Sequence, residues 1–205
     1  MMGHVHTSLV LCVTGGIACG KSEVGRILGE LGFEVCDADA VAHGLMKKGT
    51  PVYRQVVARF GKRILSGDGE ISRPILGETV FVNPGERSAL NDLVHPAVRE
   101  NLAGWMAEKR QRGKDAAVLV PLLFESGMDA LDWDAVICVS SSEELVFQRL
   151  EKRGLTRNEA ALRVASQMPL EEKEQRSDQV IPNLGTLGEL EDLTRKTVKR
   201  VKAER

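Results

Sequence analysis

The sequence predicts a three-layer α/β fold built on a parallel sheet, and three observations lead there. Four short apolar runs, Leu9–Val13, Phe33–Cys36, Ala116–Leu123 and Ala135–Val139, read as strands buried on both faces. The first two are separated by a helical stretch of about 10 residues, which makes a βαβ unit with a right-handed crossover. The first run also leads straight into Gly15-Gly16-Ile17-Ala18-Cys19-Gly20-Lys21-Ser22, a glycine-rich loop followed at once by Glu23-Val24-Gly25-Arg26-Ile27-Leu28, whose apolar residues recur at helical spacing.

That strand–loop–helix context gives the loop its chemistry. Glycines at 15, 16 and 20 let the backbone curl so that its N–H groups converge on phosphate oxygens. The helix N-terminus behind them favours anions. Lys21 adds a point charge for β- and γ-phosphates, and the Ser22 hydroxyl is a ligand for Mg²⁺. The loop is therefore a nucleoside-triphosphate site, with Gly15, Gly16, Ile17, Ala18, Cys19, Gly20, Lys21, Ser22 and Glu23 as its ATP-binding residues and Ser22 as the metal ligand.

The rest of the chain divides around this core. Residues 1–39, 113–147 and 179–205 are expected to form the nucleotide-binding core, with Val180-Ile181 as a short fifth strand and residues 186–203 as a closing helix. Residues 40–112 read as a helical insertion with breaks at Gly49-Thr50-Pro51, Gly67-Asp68-Gly69, Asn83-Pro84-Gly85 and His95-Pro96. Residues 148–178 read as a charged helical lid, in which Thr156 and Glu159 form a capping box. Repeats and low-complexity segments are absent.

Bulk properties narrow the class. The chain has 205 residues and a net charge of −1, so no global field points to nucleic acid or to an anionic membrane. No apolar run approaches the roughly 18 residues that cross a bilayer. Met1–His6 lacks the marks of a secretory signal, so a cytoplasmic protein is expected. Cys12, Cys19, Cys36 and Cys138 have neither zinc nor disulfide spacing. Three of them fall in strand-like runs as small hydrophobes. Cys19, in the phosphate loop, reads either as a small residue that fits or as a redox-sensitive thiol at a helix N-terminus.

Two helical excursions on a phosphate-loop core suit a small-molecule kinase, one holding the acceptor and the other closing over ATP to exclude water. A GTPase would carry Asn-Lys-x-Asp and Asp-x-x-Gly, and neither string occurs. An ATPase of the remodelling or transport type usually ends a strand in a run of acids, whereas Val120-Pro121-Leu122-Leu123-Phe124-Glu125 has one. Asp37 and Asp39 follow the second strand at its carboxyl end, where α/β folds place ligands. They share a face if the strand stays extended to 39, and a turn beginning at 38 separates them. Asp37 reads equally as a helix cap, and Asp39 as the group that positions or deprotonates an acceptor hydroxyl. In the lid, Arg149 and Arg153 are four apart and are expected to share one helix face and reach a single ligand. Arg157, Arg163, Lys173 and Arg176 fit a solvated charged surface.

Five segments taken in order, Thr14-Gly15-Gly16-Ile17, Asp37-Ala38-Asp39, Leu90-Asn91-x-x-x-His95-Pro96-x-Val98-Arg99, Val120–Glu125 and Gln167-Met168-Pro169, resemble the dephospho-CoA kinase family over nearly the whole chain. The resemblance implies a phosphate-loop nucleotide-kinase core, a helical CoA-substrate-binding insertion and a lid. It implies ATP-dependent phosphorylation of the ribose 3′-hydroxyl of dephospho-CoA, the last step of coenzyme A synthesis, with Mg²⁺ accompanying ATP. By it Asp39, Lys21 and Arg149 are catalytic, Arg149 and Arg153 contact ATP, and Asp39, Arg73, His95 and Arg99 bind the acceptor. The expected partners are small molecules only, without nucleic acid or membrane, in a monomer or small homo-oligomer. The chain departs from the family's usual pattern at Ala18-Cys19, where Gly-Ser is usual, at Glu23, often Thr, and at Ser177, more commonly Ala. Two other readings fit the core: a kinase for another nucleoside or nucleotide, and a non-catalytic ATP-binding regulatory module.

Overall fold

Apolar strands that alternate with helices can bury both their faces only in a layered sheet, and five such strands are found among the described residues. The computed structural model describes residues 8–204. Residues 1–7, which include the segment read for a signal sequence, and Arg205 lie outside the described residues. The elements run β1 (Val10–Gly15), α1 (Lys21–Glu30), β2 (Glu34–Asp37), α2 (Ala38–Leu45), α3 (Pro51–Phe60), α4 (Arg73–Val82), α5 (Pro84–Gln111), β3 (Ala116–Leu119), β4 (Ala135–Ser140), α6 (Glu143–Glu151), α7 (Arg157–Ala165), α8 (Leu170–Gln175), β5 (Gln179–Pro182) and α9 (Leu187–Ala203).

All pairings within the five-stranded sheet are parallel and the strand order is β2-β3-β1-β4-β5. β1, β3 and β4 are buried along their whole lengths, as the unbroken apolar runs predict. Leu11 and Val13 of β1 join Val24, Ile27 and Leu28 of α1, Val146, Phe147 and Leu150 of α6, and Leu190, Val198 and Val201 of α9 in one apolar cluster. α8 packs on β1 and β4, and the alternate residues Val10, Cys12 and Cys138 are buried too. The chain leaves β1 for β2 on one side, and after β3 it crosses β1 to reach β4 on the other. The carboxyl end of β1 is thus the switch point of the sheet, where open α/β folds bind ligands.

The described residues form two compact units. One comprises the described residues up to Asp37 together with those from Trp105 onward, and the other is Ala38–Gly104. The second unit is helical, and its first two expected breaks are observed. Thr50 caps α3, accepting from the Tyr53 N–H at 3.1 Å with Pro51 in the first turn. Gly67–Gly69 lies in a turn between Leu65 and Ile71, which form an isolated bridge. Asn83 separates α4 from α5 as the third break.

The fourth expected break is absent. α5 runs 28 residues straight through Pro96. A proline inside a helix removes one backbone hydrogen bond and crowds the preceding turn. Here Val94, Val98 and Leu102 on either side of it are buried, and their packing holds the helix through the defect. The third strand is also shorter than its apolar run. It stops at Leu119, and Pro121, which has no N–H for a ladder, lies in the irregular stretch that follows. Among the described residues no helix is long and apolar enough to cross a membrane.

Half-buried His95 of α5 has its pKa pushed below the ordinary value by burial first and by the Arg99 guanidinium second, with Asp92 opposing. Folding therefore favours neutral imidazole. The contribution is fully present above the unfolded value of about 6.5 and is lost as pH falls through the lower folded value. Melting temperature should fall as pH drops from about 6.5 through that lower folded value, and less steeply in His95→Gln; equal slopes would remove the assignment.

Candidate active site

The loop between β1 and α1 can take its shape only because of what stands at its ends. A Cβ on Gly15 would overlap the Val139 carbonyl oxygen across the β1–β4 pairing, so glycine alone fits where the strand runs into the loop. Gly20 has φ +108 and precedes α1 without a side-chain cap. No side chain therefore covers the first turn of α1, where the helix dipole favours an anion. Lys21 folds back, its Nζ donating to the Gly15 carbonyl at 3.0 Å and the Gly16 carbonyl at 2.7 Å. Ser22, the second residue of α1, is exposed.

Later parts of the chain hold the loop from outside. The Arg149 guanidinium donates to the Ala18 carbonyl, the Ser141 hydroxyl and the Asn183 carbonyl, each at 3.1 Å. That leaves two of its five N–H donors for another ligand. Asn183 Nδ2 donates to the Cys19 carbonyl at 2.8 Å. The Gln167 side-chain carbonyl accepts from the Ile17 N–H at 2.9 Å. Gln167 is tied down in turn, since the Met168 N–H donates to Glu125 at 3.0 Å and Lys173 Nζ meets the same Glu125 oxygen at 2.7 Å and the Pro121 carbonyl at 2.9 Å. Three of the five resembling segments are thus joined physically: the loop, the stretch ending at Glu125, and Gln167–Pro169.

The sequence did not distinguish Asn183 or Ser141. Both sit just past strand ends, where small polar residues usually mark turns. Lys173 was expected on a solvated helix face, and it is fully buried instead. In a six-residue helix the charge pattern carries no facing information, and the ion pair with Glu125 decides the orientation. Arg153 does not share a helix face with Arg149. α6 ends at Glu151, and Arg153 is exposed in the turn that follows. The Glu23 carboxylate pairs with Arg26 at 2.6 Å, one turn along α1.

Cys19 is 1 % exposed, and its thiol pKa is raised by burial against the lowering effect of Lys21, a Gly16 backbone hydrogen bond, Arg149 and Lys173. It fits as a small buried residue, and the redox reading has no support. Burial also raises the Cys12 and Cys36 thiols and pushes Cys138 up to about 12. Ala18 has φ +58, the one non-glycine residue in the left-handed region among those described, so the exchange of glycine for alanine carries backbone strain.

The helix α2 begins at Ala38, which settles the choice left open for the two aspartates. Asp37 ends β2 and Asp39 lies in the first turn of α2, and both are exposed. Within the Ala38–Gly104 unit, a cleft of about 590 Å³ is lined by His43, Met46, Lys47, Glu70, Ile71, Arg73, Pro74 and Leu76. Arg73 opens α4 there. His95 and Arg99 are one turn apart on α5 and do not line that cleft.

The sequence model of the dephospho-CoA kinase family matches residues 9–189. The chain belongs to the dephospho-CoA kinase family. A dephospho-CoA kinase of Bacillus cereus is 44 % identical over 184 residues, covering 89 % of this chain and 92 % of the relative. One from Geobacillus kaustophilus is 45 % identical over 185 residues, covering 87 % and 90 %. Among solved structures, TT1252 of Thermus thermophilus aligns with TM-score 0.76 and 32 % identity over 96 % of this chain and 97 % of that one. The dephospho-CoA kinase of Campylobacter jejuni aligns with TM-score 0.71 and 29 % identity over 96 % and 98 %. A shikimate kinase of Acinetobacter baumannii, at TM-score 0.57 and 15 % identity over 98 % and 96 %, shares the fold alone. In this dephospho-CoA kinase family member the phosphate loop, Arg149, Asn183 and Gln167 lie in one unit, and Asp39, Arg73, His95 and Arg99 lie in the other.

Two outcomes follow for stability. Ala18→Val places a β-branched residue at a left-handed position and should cost about 2 kcal/mol, while Ala18→Gly should change stability by less than about 1 kcal/mol, because relief of strain is offset by unfolded-chain entropy. Urea unfolding of the pair checks this. Lys173→Met leaves the Glu125 carboxylate without its cation and should cost about 3 kcal/mol, also read by urea unfolding. A change of a few tenths would show that the pair is not structural.

Proposed function

We propose that this chain transfers the γ-phosphoryl group of Mg·ATP to the ribose 3′-hydroxyl of dephospho-CoA, giving CoA and ADP as the last step of coenzyme A synthesis. The observation that carries the reading is an α1 N-terminus with no side-chain cap behind a loop whose lysine Nζ is bonded to the loop's own carbonyls. An incoming triphosphate replaces weak carbonyl partners with charged ones, and hydrogen bonds between ions are roughly twice as strong as neutral ones. Family membership supports the acceptor.

The roles follow from the chemistry of transfer. Loop amides and Lys21 hold the β- and γ-phosphates. Among the described residues no cluster of three His, Cys, Asp or Glu could cage a metal. Mg²⁺ carried by ATP needs no such cage, since it takes phosphate oxygens and waters with one or two protein ligands, and the exposed Ser22 hydroxyl fits that small demand. Asp39 accepts or orients the proton of the 3′-hydroxyl. Arg149 offers its two remaining donors to the transferring group, and Arg153, in the turn beyond α6, is the second arginine assigned to ATP.

The acceptor carries a diphosphate, which suits guanidinium contacts from Arg73 and Arg99. His95 is assigned a contact role with the acceptor rather than a catalytic one. The cleft that Arg73 lines also holds Lys47, a second cation suited to that diphosphate, with Glu70 in the same lining. We assign residues 1–39, 113–147 and 179–205 to the nucleotide-binding core, 40–112 to acceptor binding and 148–178 to a lid that excludes water, in a cytoplasmic enzyme.

ADP release should depend on dephospho-CoA and be far slower with adenosine or AMP as acceptor. Preference for another acceptor would make the protein a different nucleotide kinase. ATP binding without any acceptor-dependent turnover would make it a regulatory module. Lys21→Ala and Asp39→Asn should each lower kcat by about 100-fold or more with the melting temperature unchanged. Near-normal kcat in Asp39→Asn would remove that residue from the mechanism.

A further inference from the structure

We propose that Asn183 is a positioning residue for nucleotide binding, setting the direction of the Gly20 amide in the phosphate loop. The inference rests on the reading of that loop as the ATP site.

The peptide unit between Cys19 and Gly20 is planar and trans, so its C=O and N–H point in opposite directions. Asn183 Nδ2 donates to the Cys19 carbonyl at 2.8 Å from outside the loop. Holding that oxygen outward aims the Gly20 N–H inward. Sterics act in the same sense, because a Cβ on Gly20 would overlap Asn183 Nδ2. The carboxamide therefore lies against the bare Cα of a glycine at φ +108, and this peptide cannot swing outward past it.

Asn183 is itself fixed from three sides. Its N–H donates to the Ser140 carbonyl at 2.8 Å, continuing the β4–β5 ladder past the end of β5. Its carbonyl accepts from the Ser141 hydroxyl at 2.9 Å and from Arg149 at 3.1 Å. The same guanidinium holds the Ala18 carbonyl. Two consecutive loop carbonyls are thus fastened to the carboxyl ends of β4 and β5, so the loop's amides are set by the sheet and not by the loop's own preferences. The position needs a neutral donor of this length. Aspartate has the same shape but no hydrogen to give, and its charge would face the carbonyl oxygen.

Asn183→Asp and Asn183→Ala, with wild type and Lys21→Ala for reference, separate this role from simple support of the β5–α9 connection. The readouts are KM for Mg·ATP, KM for dephospho-CoA, kcat, and melting temperature with and without Mg·ATP. We expect both Asn183 variants to raise KM for ATP about tenfold, the effect of losing one oriented donor, and to shrink the melting shift caused by Mg·ATP. KM for dephospho-CoA and the ligand-free melting temperature should stay as in wild type. An unchanged KM for ATP overturns the proposal. So does a rise in both KM values that tracks a fall in ligand-free stability, or a rise confined to the charged Asn183→Asp. If wild type does not bind Mg·ATP, or Lys21→Ala binds it equally well, the ATP reading of the loop is what fails, and the proposal falls with it.

Discussion

A run of backbone must hold several N–H groups pointing one way with nothing yet bound to them. Parallel amide dipoles repel, and left-handed conformations at an alanine cost of order 1–2 kcal/mol, so such a loop does not keep its shape unaided. Here one end is a fully buried central strand and the other is a helix packed into the main apolar cluster. Between them, Ala18 and Gly20 take positive φ values, and carbonyls or amides at residues 17, 18 and 19 are bonded to side chains from residues 149–183. The last third of the chain holds the shape that the first tenth needs.

The charges follow the same logic. Lys21 satisfies itself on loop carbonyls, and Arg149 spends three donors on protein oxygens, so neither cation is left bare where phosphate is expected. Lys173 is the costly exception. Burying an ammonium is unfavourable unless it is paired and hydrogen-bonded, and Glu125 and the Pro121 carbonyl do both. That buried pair anchors the segment from which Gln167 reaches the loop. The ends of β3, α7 and β4 are therefore coupled to the phosphate site through specific polar contacts rather than through general packing.

Much of this was legible in the sequence where one local rule sufficed. The phosphate loop, the five strand positions and the Thr156–Glu159 capping box all follow from short patterns, and the structure contains them. Misreadings came where tertiary contacts override a local rule. Pro96 sits inside α5 because its neighbours are buried, and the run from Ala116 ends early because ladder pairing stops at Leu119. Arg153 misses its helix by two residues, and Lys173 is turned inward by a partner 48 positions away. Asn183 left no signal, since an asparagine after a strand reads as a turn whether or not its carboxamide touches anything. The role of Ala18 is the reverse case. The substitution was visible in the sequence, but its left-handed backbone emerges only from the folded loop.

The most direct test of the central claim is a crystal structure of the protein with Mg²⁺, a non-hydrolysable ATP analogue and dephospho-CoA. The account predicts the β- and γ-phosphates within the 15–22 loop, Lys21 Nζ moved from the Gly15 and Gly16 carbonyls onto phosphate oxygens, and the ribose 3′-hydroxyl hydrogen-bonded to Asp39. A triphosphate bound elsewhere, or Lys21 still on its own carbonyls with the nucleotide in place, would contradict it.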